Sequence, residues 1–128
     1  MGGVRWKDEP DQHDYPAAAS YLGLVADPAT ADALVERLRR APIERFKAKD
    51  ILRASGLPDL PLENVHVAKD VARIKADKAL SPVLLVRGDI HRGYPLQIAD
   101  GYHRVCASHH LDEDTDIPCR IVALVEPR

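Results

Sequence analysis

No apolar run in this chain approaches the roughly twenty residues needed to cross a bilayer. The opening "MGGVRW" lacks the Ser or Thr that an N-myristoylation signal wants at position 6, and no basic-then-apolar leader precedes the body. The expectation is a soluble, cytoplasmic protein without a membrane anchor. Cysteine is scarce: Cys106 and Cys119 are the only two. Without a leader they fit free thiols in a reducing compartment better than a disulfide scaffold. An excess of either charge is missing as well. Lysine and arginine number 18 against 20 acids, a formal net charge of -2. A nucleic-acid protein or nuclease therefore has little support, and any anion site must be local.

What is present suffices for one core. At 128 residues and 45% hydrophobic content the chain is long enough for one domain and short for two. Residues 1–14 are polar and lack an apolar period, so an arm that frays or packs through Trp6 is expected there. Residues 15–128 form the domain, and a helical hairpin over 15–41 leads it. In "DYPAAASYLGLVA", Pro16 suits a first helical turn, and Ala18, Tyr21, Leu22 and Val25 recur at i, i+3, i+4 and i+7. In "DPATADALVERLRRAP", Asp27 is the N-cap before Pro28, Ala31, Leu34, Val35 and Leu38 form one stripe, and Pro42 ends the helix.

"IERFKA" reads as a short strand and "KDILRASG" as a helix stopped by Gly56. A prolyl loop follows. The next helix, in "ENVHVAKDVARIKADKAL", turns Val67, Ala68, Val71 and Ile74 inward and Lys69, Asp70 and Arg73 outward. "PVLLVRG" and "YPLQIAD" have strand length and are joined as a hairpin through "GDIHRG". From Gly101 the period is helical, with Tyr102, Val105, Cys106 and His109 on one face, and "IPCRIVALV" is a last strand. The fold class is mixed α/β (α+β): about four strands with flanking helices and no internal repeat.

The chemistry concentrates in "IADGYHRVCASHH", residues 98–110. Asp100 stands where a strand ends and a helix begins, the position of an N-cap, and Gly101 lets the backbone turn tightly. The first turn of such a helix leaves N–H groups unpaired at the positive end of the dipole, which favours anions. His103 and Arg104 add side-chain donors, and arginine holds two phosphate oxygens at once. A small phosphate cradle is the functional reading; a capping Asp100 with a solvated His103 and Arg104 is the plain one. His103, Cys106 and His110 also stand at i, i+3 and i+7, with Cys119 or an acid of 112–116 as a fourth ligand. Zinc sites bring paired short spacings from two segments, and only one is visible, so no metal site is expected. Cys106 falls on the core face, where a thiol is inert, which disfavours a Cys–His nucleophile.

The segment "SPVLLVRG … YPLQIADGYHRVCASHHLDEDTDIPCRIV" resembles the domain shared by ParB N-terminal regions and sulfiredoxins, over roughly residues 43–124. The hairpin over 15–41 then looks like an addition. The resemblance implies nucleotide binding, with phosphates held at Gly101, His103 and Arg104. Of the sulfiredoxin pattern Gly-Cys-His-Arg, Tyr102 replaces the cysteine, so reduction of a sulfinic acid by that route is not implied. The lysine and serine that sulfiredoxins place around the nucleotide fall in register with Asn64 and Val67. ParB proteins carry Glu-Arg-Arg and a DNA-binding domain, and this segment has neither. "DGYHR" is similar at four of five positions to the Asp-Gly-His-His-Arg of the superfamily's free serine kinases.

The implied activity is phosphotransfer or nucleotide hydrolysis, with ATP, ADP or CTP and Mg²⁺ as cofactors. Asp100, His103 and Arg104 would be the catalytic group: Arg104 and the turn neutralising phosphate, His103 donating, and Asp100 orienting the turn, holding Mg²⁺ or accepting a proton. Glu44 or Asp50 is the candidate carboxylate base, and Lys47 and Lys49 would add phosphate charge. The alternative class is a non-catalytic module that binds a protein partner or a second copy through Leu34, Val35 and Leu38, provided that stripe is exposed.

Overall fold

Two helix starts and one helix stop show how local chemistry sets the elements of the computed structural model, which describes residues 3–124. The Asp27 side chain accepts from the Thr30 N–H at 2.9 Å and opens α2 (Pro28–Arg40). Asn64 accepts from the His66 and Val67 N–H groups and opens α4 (Val65–Lys75). Gly56, at φ +70, ends α3 (Ala48–Ser55) in the left-handed conformation that glycine adopts without a steric penalty. The remaining elements are α1 (Asp14–Val25), β1 (Ile43–Lys47), β2 (Val83–Arg87), β3 (Gln97–Asp100), α5 (Tyr102–Leu111) and β4 (Asp116–Ala123). Their order is the one the sequence pattern predicts. Gly2 and Val125, the latter at the end of the last predicted strand, lie outside the described residues.

The four strands form one mixed sheet in the order β1-β4-β2-β3. β4 pairs antiparallel with β1 and parallel with β2, and β2 pairs antiparallel with β3, as the predicted hairpin requires. Alternation along β2 serves both faces: Val83 and Leu85 join the core under α3, α4 and α5, whereas Leu84 and Val86 join the core under α1 and α2. The result is three layers, helices on both faces of one sheet. Leu34, Val35 and Leu38 are 1%, 6% and 0% exposed against that second face. The stripe is therefore ordinary core, each side chain contributing about 1.5–3 kcal/mol by burial, and offers no docking surface.

Three inward-facing assignments need correction. In α1, Tyr21 and Val25 are exposed, and Asp14 and Tyr15 are buried with Ala18 and Leu22 instead. In α4, Ala68 is exposed and Asp70 is buried beside Val67 and Val71. The N-terminal segment does not run free: Leu80 exchanges backbone hydrogen bonds with Arg5 and Lys7, forming a parallel bridge at Trp6. That bridge brings residues 7–14 alongside the loop that leads into β2, next to the β3–α5 turn.

Candidate functional site

Gly101, not Asp100, is the N-cap of α5, and no side chain caps the helix. This differs from the expected capping role of Asp100 because the aspartate closes β3 opposite Leu84, and its carboxylate reaches forward one turn to Arg104. Gly101 is at φ +107, and a Cβ there would lie 2.4 Å from Val83 Cγ1 and 2.8 Å from Arg104 Nη2. Glycine is needed twice over at this position, for the backbone conformation and for the close approach of the guanidinium.

Arg104 is spent inside the protein. Its Nη2 lies 2.6 Å from Asp100 Oδ2, and its Nη1 donates to the Ser81 carbonyl at 2.8 Å and lies 3.4 Å from Asp14 Oδ2. Nη1 also contacts the Ser81 hydroxyl, which donates to Asp14 Oδ2 at 2.8 Å. The three charged side chains are 12%, 20% and 6% exposed for Arg104, Asp100 and Asp14. Arg104 thus lines the cavity with its fork turned to two carboxylates, an arrangement that positions Asp14 and Asp100. Burial pushes the Asp100 carboxyl up to about 6 despite the opposing pull of Arg104, with the Asp14 charge adding to the rise.

These groups line a cavity of about 570 Å³ at the start of α5, bounded by α1, α4 and the loop before β2. His103 faces it, and its ring centroid lies 4.7 Å from that of His66. Burial, followed by the neighbouring His66, holds the His103 pKa below the ordinary 6.5, so the ring is a neutral hydrogen-bonding group at pH 7. Asp70 contributes a third buried carboxylate, raised by burial and countered by Arg104 and then Arg73, whose Nη1 lies 3.5 Å away. Lys7, Lys78 and Arg73 supply the outer cations. The inner wall therefore carries Asp14, Asp70 and Asp100 against the single guanidinium of Arg104, with positive charge at the rim.

Asp11, His13 and Asp14 have ligand atoms within 4.8 Å of one another at one edge of the same cavity. Asp14 keeps Oδ1 facing His13 at 3.4 Å, while Lys7 Nζ lies 2.8 Å from Asp11 Oδ1. The group offers two carboxylates and one imidazole at this edge, and Lys7 already competes for Asp11.

The other sequence candidates lie elsewhere. Lys47 and Lys49 sit 3.8 Å and 2.7 Å from Asp114, beyond the C-terminal end of α5, away from the turn they were expected to serve. Glu44 faces Cys119 from the far edge strand and Asp50 lies on α3; neither lines this cavity, so neither is placed as its base. Asn64 is a helix cap and Val67 is fully buried. His103 packs at a tilt against His66 at one end of α5, whereas His110 approaches Asp59 and the Leu60 carbonyl at the other, so the structure does not bring these two histidines together. Both cysteines are buried thiols; burial raises Cys106 and pushes Cys119 up to about 12. The Tyr102 hydroxyl donates to the Pro58 carbonyl, tying α5 to the loop before α4.

Asp14, Ser81 and Asp70 are the inner site residues missed from the sequence, and Lys7, Asp11, His66, Arg73 and Lys78 around them were missed as well. Asp14 shares its helical stripe with Ala18 and Leu22, and Asp70 stands at i+3 from Val67 and i−4 from Ile74. A carboxylate on an apolar stripe is a readable signal of buried polar chemistry. Nothing in the sequence marks Ser81.

The fold is that of a mixed α/β protein with a polar cavity at a strand-to-helix turn. Compared with known proteins, the chain matches no family model, no curated protein and no solved structure. No helix among the described residues is long and apolar enough to cross a membrane.

Proposed function

We propose that the cavity at the start of α5 binds a nucleotide or another phosphate ester as its Mg²⁺ complex, and that the protein acts as a phosphotransferase or nucleotide hydrolase. The observation that carries this reading is the uncapped first turn of α5 opening on a cavity with buried carboxylates inside and Lys7, Arg73 and Lys78 at the rim. The resemblance of "DGYHR" to a nucleotide-binding turn supports it independently of the geometry. A bare phosphate would be repelled by Asp14, Asp70 and Asp100, whereas a cation-bearing phosphate satisfies both halves of the cavity.

When bound, Mg²⁺ would be held by Asp11 and Asp14 and would neutralise phosphate oxygens. The chain's own groups do the rest. The N–H groups of the α5 first turn and His103 donate to phosphate oxygens, and Arg73 and Lys78 attract the charge. Asp100, with a pKa near neutrality, accepts the proton of the attacking hydroxyl or water while Arg104 fixes its orientation. The test is thermal stabilisation by ATP, ADP, CTP and GTP with Mg²⁺ or with EDTA. A shift that requires Mg²⁺ and is lost in His103→Ala supports the reading; no shift with any of them overturns it.

A further inference from the structure

On the opposite side of the α3–α5 core from the polar cavity, the sheet leaves a second hollow. Its floor is Phe46 of β1, Ile121 of β4 and Leu85 of β2, so it runs across three strands. One wall is α3, through Ile51 and Ala54, and the other is the loop 88–96 between β2 and β3, through Leu96. Its volume is about 620 Å³, within the range of small-molecule sites.

The loop wall is built rather than casual. The Leu96 N–H donates to the Ala54 carbonyl at 3.0 Å, pinning the loop to α3. Asp89 and Tyr94 bridge each other across the loop, and Gly88 is packed so tightly that a Cβ would fall 2.4 Å from the Tyr94 carbonyl oxygen. The hollow is thus held open by hydrogen bonds and backbone packing.

Charge at its rim is uneven. Asp50 is paired with Arg53 at 3.4 Å and Asp89 with Arg92 at 3.6 Å. Arg87, whose side chain projects from the same sheet face as Leu85, forms no ion pair among the described residues, and Glu44 on that face is separated from it by β4. The hollow is lined by two carboxylates, Asp50 and Asp89, each facing an arginine outside the lining, and by Arg87, the one lining charge without a partner among the described residues. An apolar trough with that guanidinium on its lining matches a molecule with an apolar body and one terminal carboxylate.

We infer that this hollow is a binding site for an apolar carboxylate, its chain lying over Leu85, Ile121 and Phe46 and its carboxylate on Arg87. The site is separate from the phosphate cavity, and its fate does not depend on that reading. The probes are decanoate, decanol and decylammonium, each titrated into the ¹⁵N-labelled full chain and followed by NMR. Decanoate is expected to give saturable shifts at Leu85, Leu96 and Ile121, with decylammonium weaker. Arg87→Gln, at an exposed residue without an ion pair, should weaken decanoate by about tenfold and leave decanol unchanged. Ala54→Trp, which fills the hollow from an exposed position, should abolish both. Absence of saturable shifts with decanoate, equal binding of decylammonium, or an unchanged decanoate affinity in Arg87→Gln would overturn the inference.

Discussion

Arg104 Nη2 lies 2.6 Å from Asp100 Oδ2, one helical turn apart, and the same guanidinium reaches Asp14 from the other side. This contact joins the end of β3 to the starts of α1 and α5. It turns a motif that looks like a phosphate grip into the support on which two carboxylates stand.

Removing the guanidinium should therefore damage stability before it damages binding. Arg104→Ala leaves Asp14 and Asp100 buried without a counter-charge, and the expected loss is about 3–5 kcal/mol in urea unfolding at pH 7. Arg104→Lys should recover only part of it, because an ammonium cannot span both carboxylates and the Ser81 carbonyl together. A loss below about 1 kcal/mol for Arg104→Ala would show that the pairings are weak.

Gly101→Ala should be unfavourable for two separate reasons. The backbone at φ +107 disfavours any side chain, and the added carbon meets Val83 and the Arg104 guanidinium. A destabilisation of about 2–4 kcal/mol is expected by thermal or denaturant unfolding. Val83→Ala removes only the contact with Val83 Cγ1 and leaves Val83 Cβ and Arg104 Nη2 each 2.8 Å from the added carbon, so it should not restore Gly101→Ala to wild-type stability.

The raised Asp100 pKa has a definite sign. Its folded value of about 6 lies above the ordinary 3.8, so the folded state holds the proton more tightly. Stability contributed by that proton is present below about pH 4 and is lost as pH rises through about 6. Asp100→Asn should lack this decline: its unfolding free energy, compared with wild type across that window, should gain relative ground as pH rises. A difference that stays flat between pH 4 and 7 would place the titration elsewhere.

Loss of the α2 cap isolates the fold from the site. Asp27→Ala removes the hydrogen bond to the Thr30 N–H, far from the cavity, and should cost about 1 kcal/mol without altering ligand affinity.

Much of the architecture was readable because helix caps and apolar periods act locally. Asp27, Gly56 and Pro42 delimit elements through interactions within a few residues, and the stripe Ala31, Leu34, Val35 and Leu38 has one face to bury. The site was less legible because its partners come from distant segments. Arg104 is 90 residues from Asp14 and 23 from Ser81, and no local spacing announces those pairings. The role of Asp100 shifted for a local reason instead: its position suits a cap, but the guanidinium four residues on is the stronger partner. Tyr21 and Val25 failed as core residues because α1 lies on the sheet through the Asp14, Ala18 and Leu22 stripe, a choice made by tertiary contact.

In the proposed function, an uncapped helix start, a rim of cations and an acid-lined interior together bind a Mg²⁺-complexed phosphate ester. Calorimetric titration of the full chain with ATP, ADP and CTP, with Mg²⁺ and then with EDTA, tests it most directly. At least one nucleotide should bind only with Mg²⁺, weaken by about tenfold in Arg73→Ala or His103→Ala, and stay unchanged in Asp27→Ala. Binding that persists in EDTA, or that is indifferent to Arg73 and His103, would contradict the account.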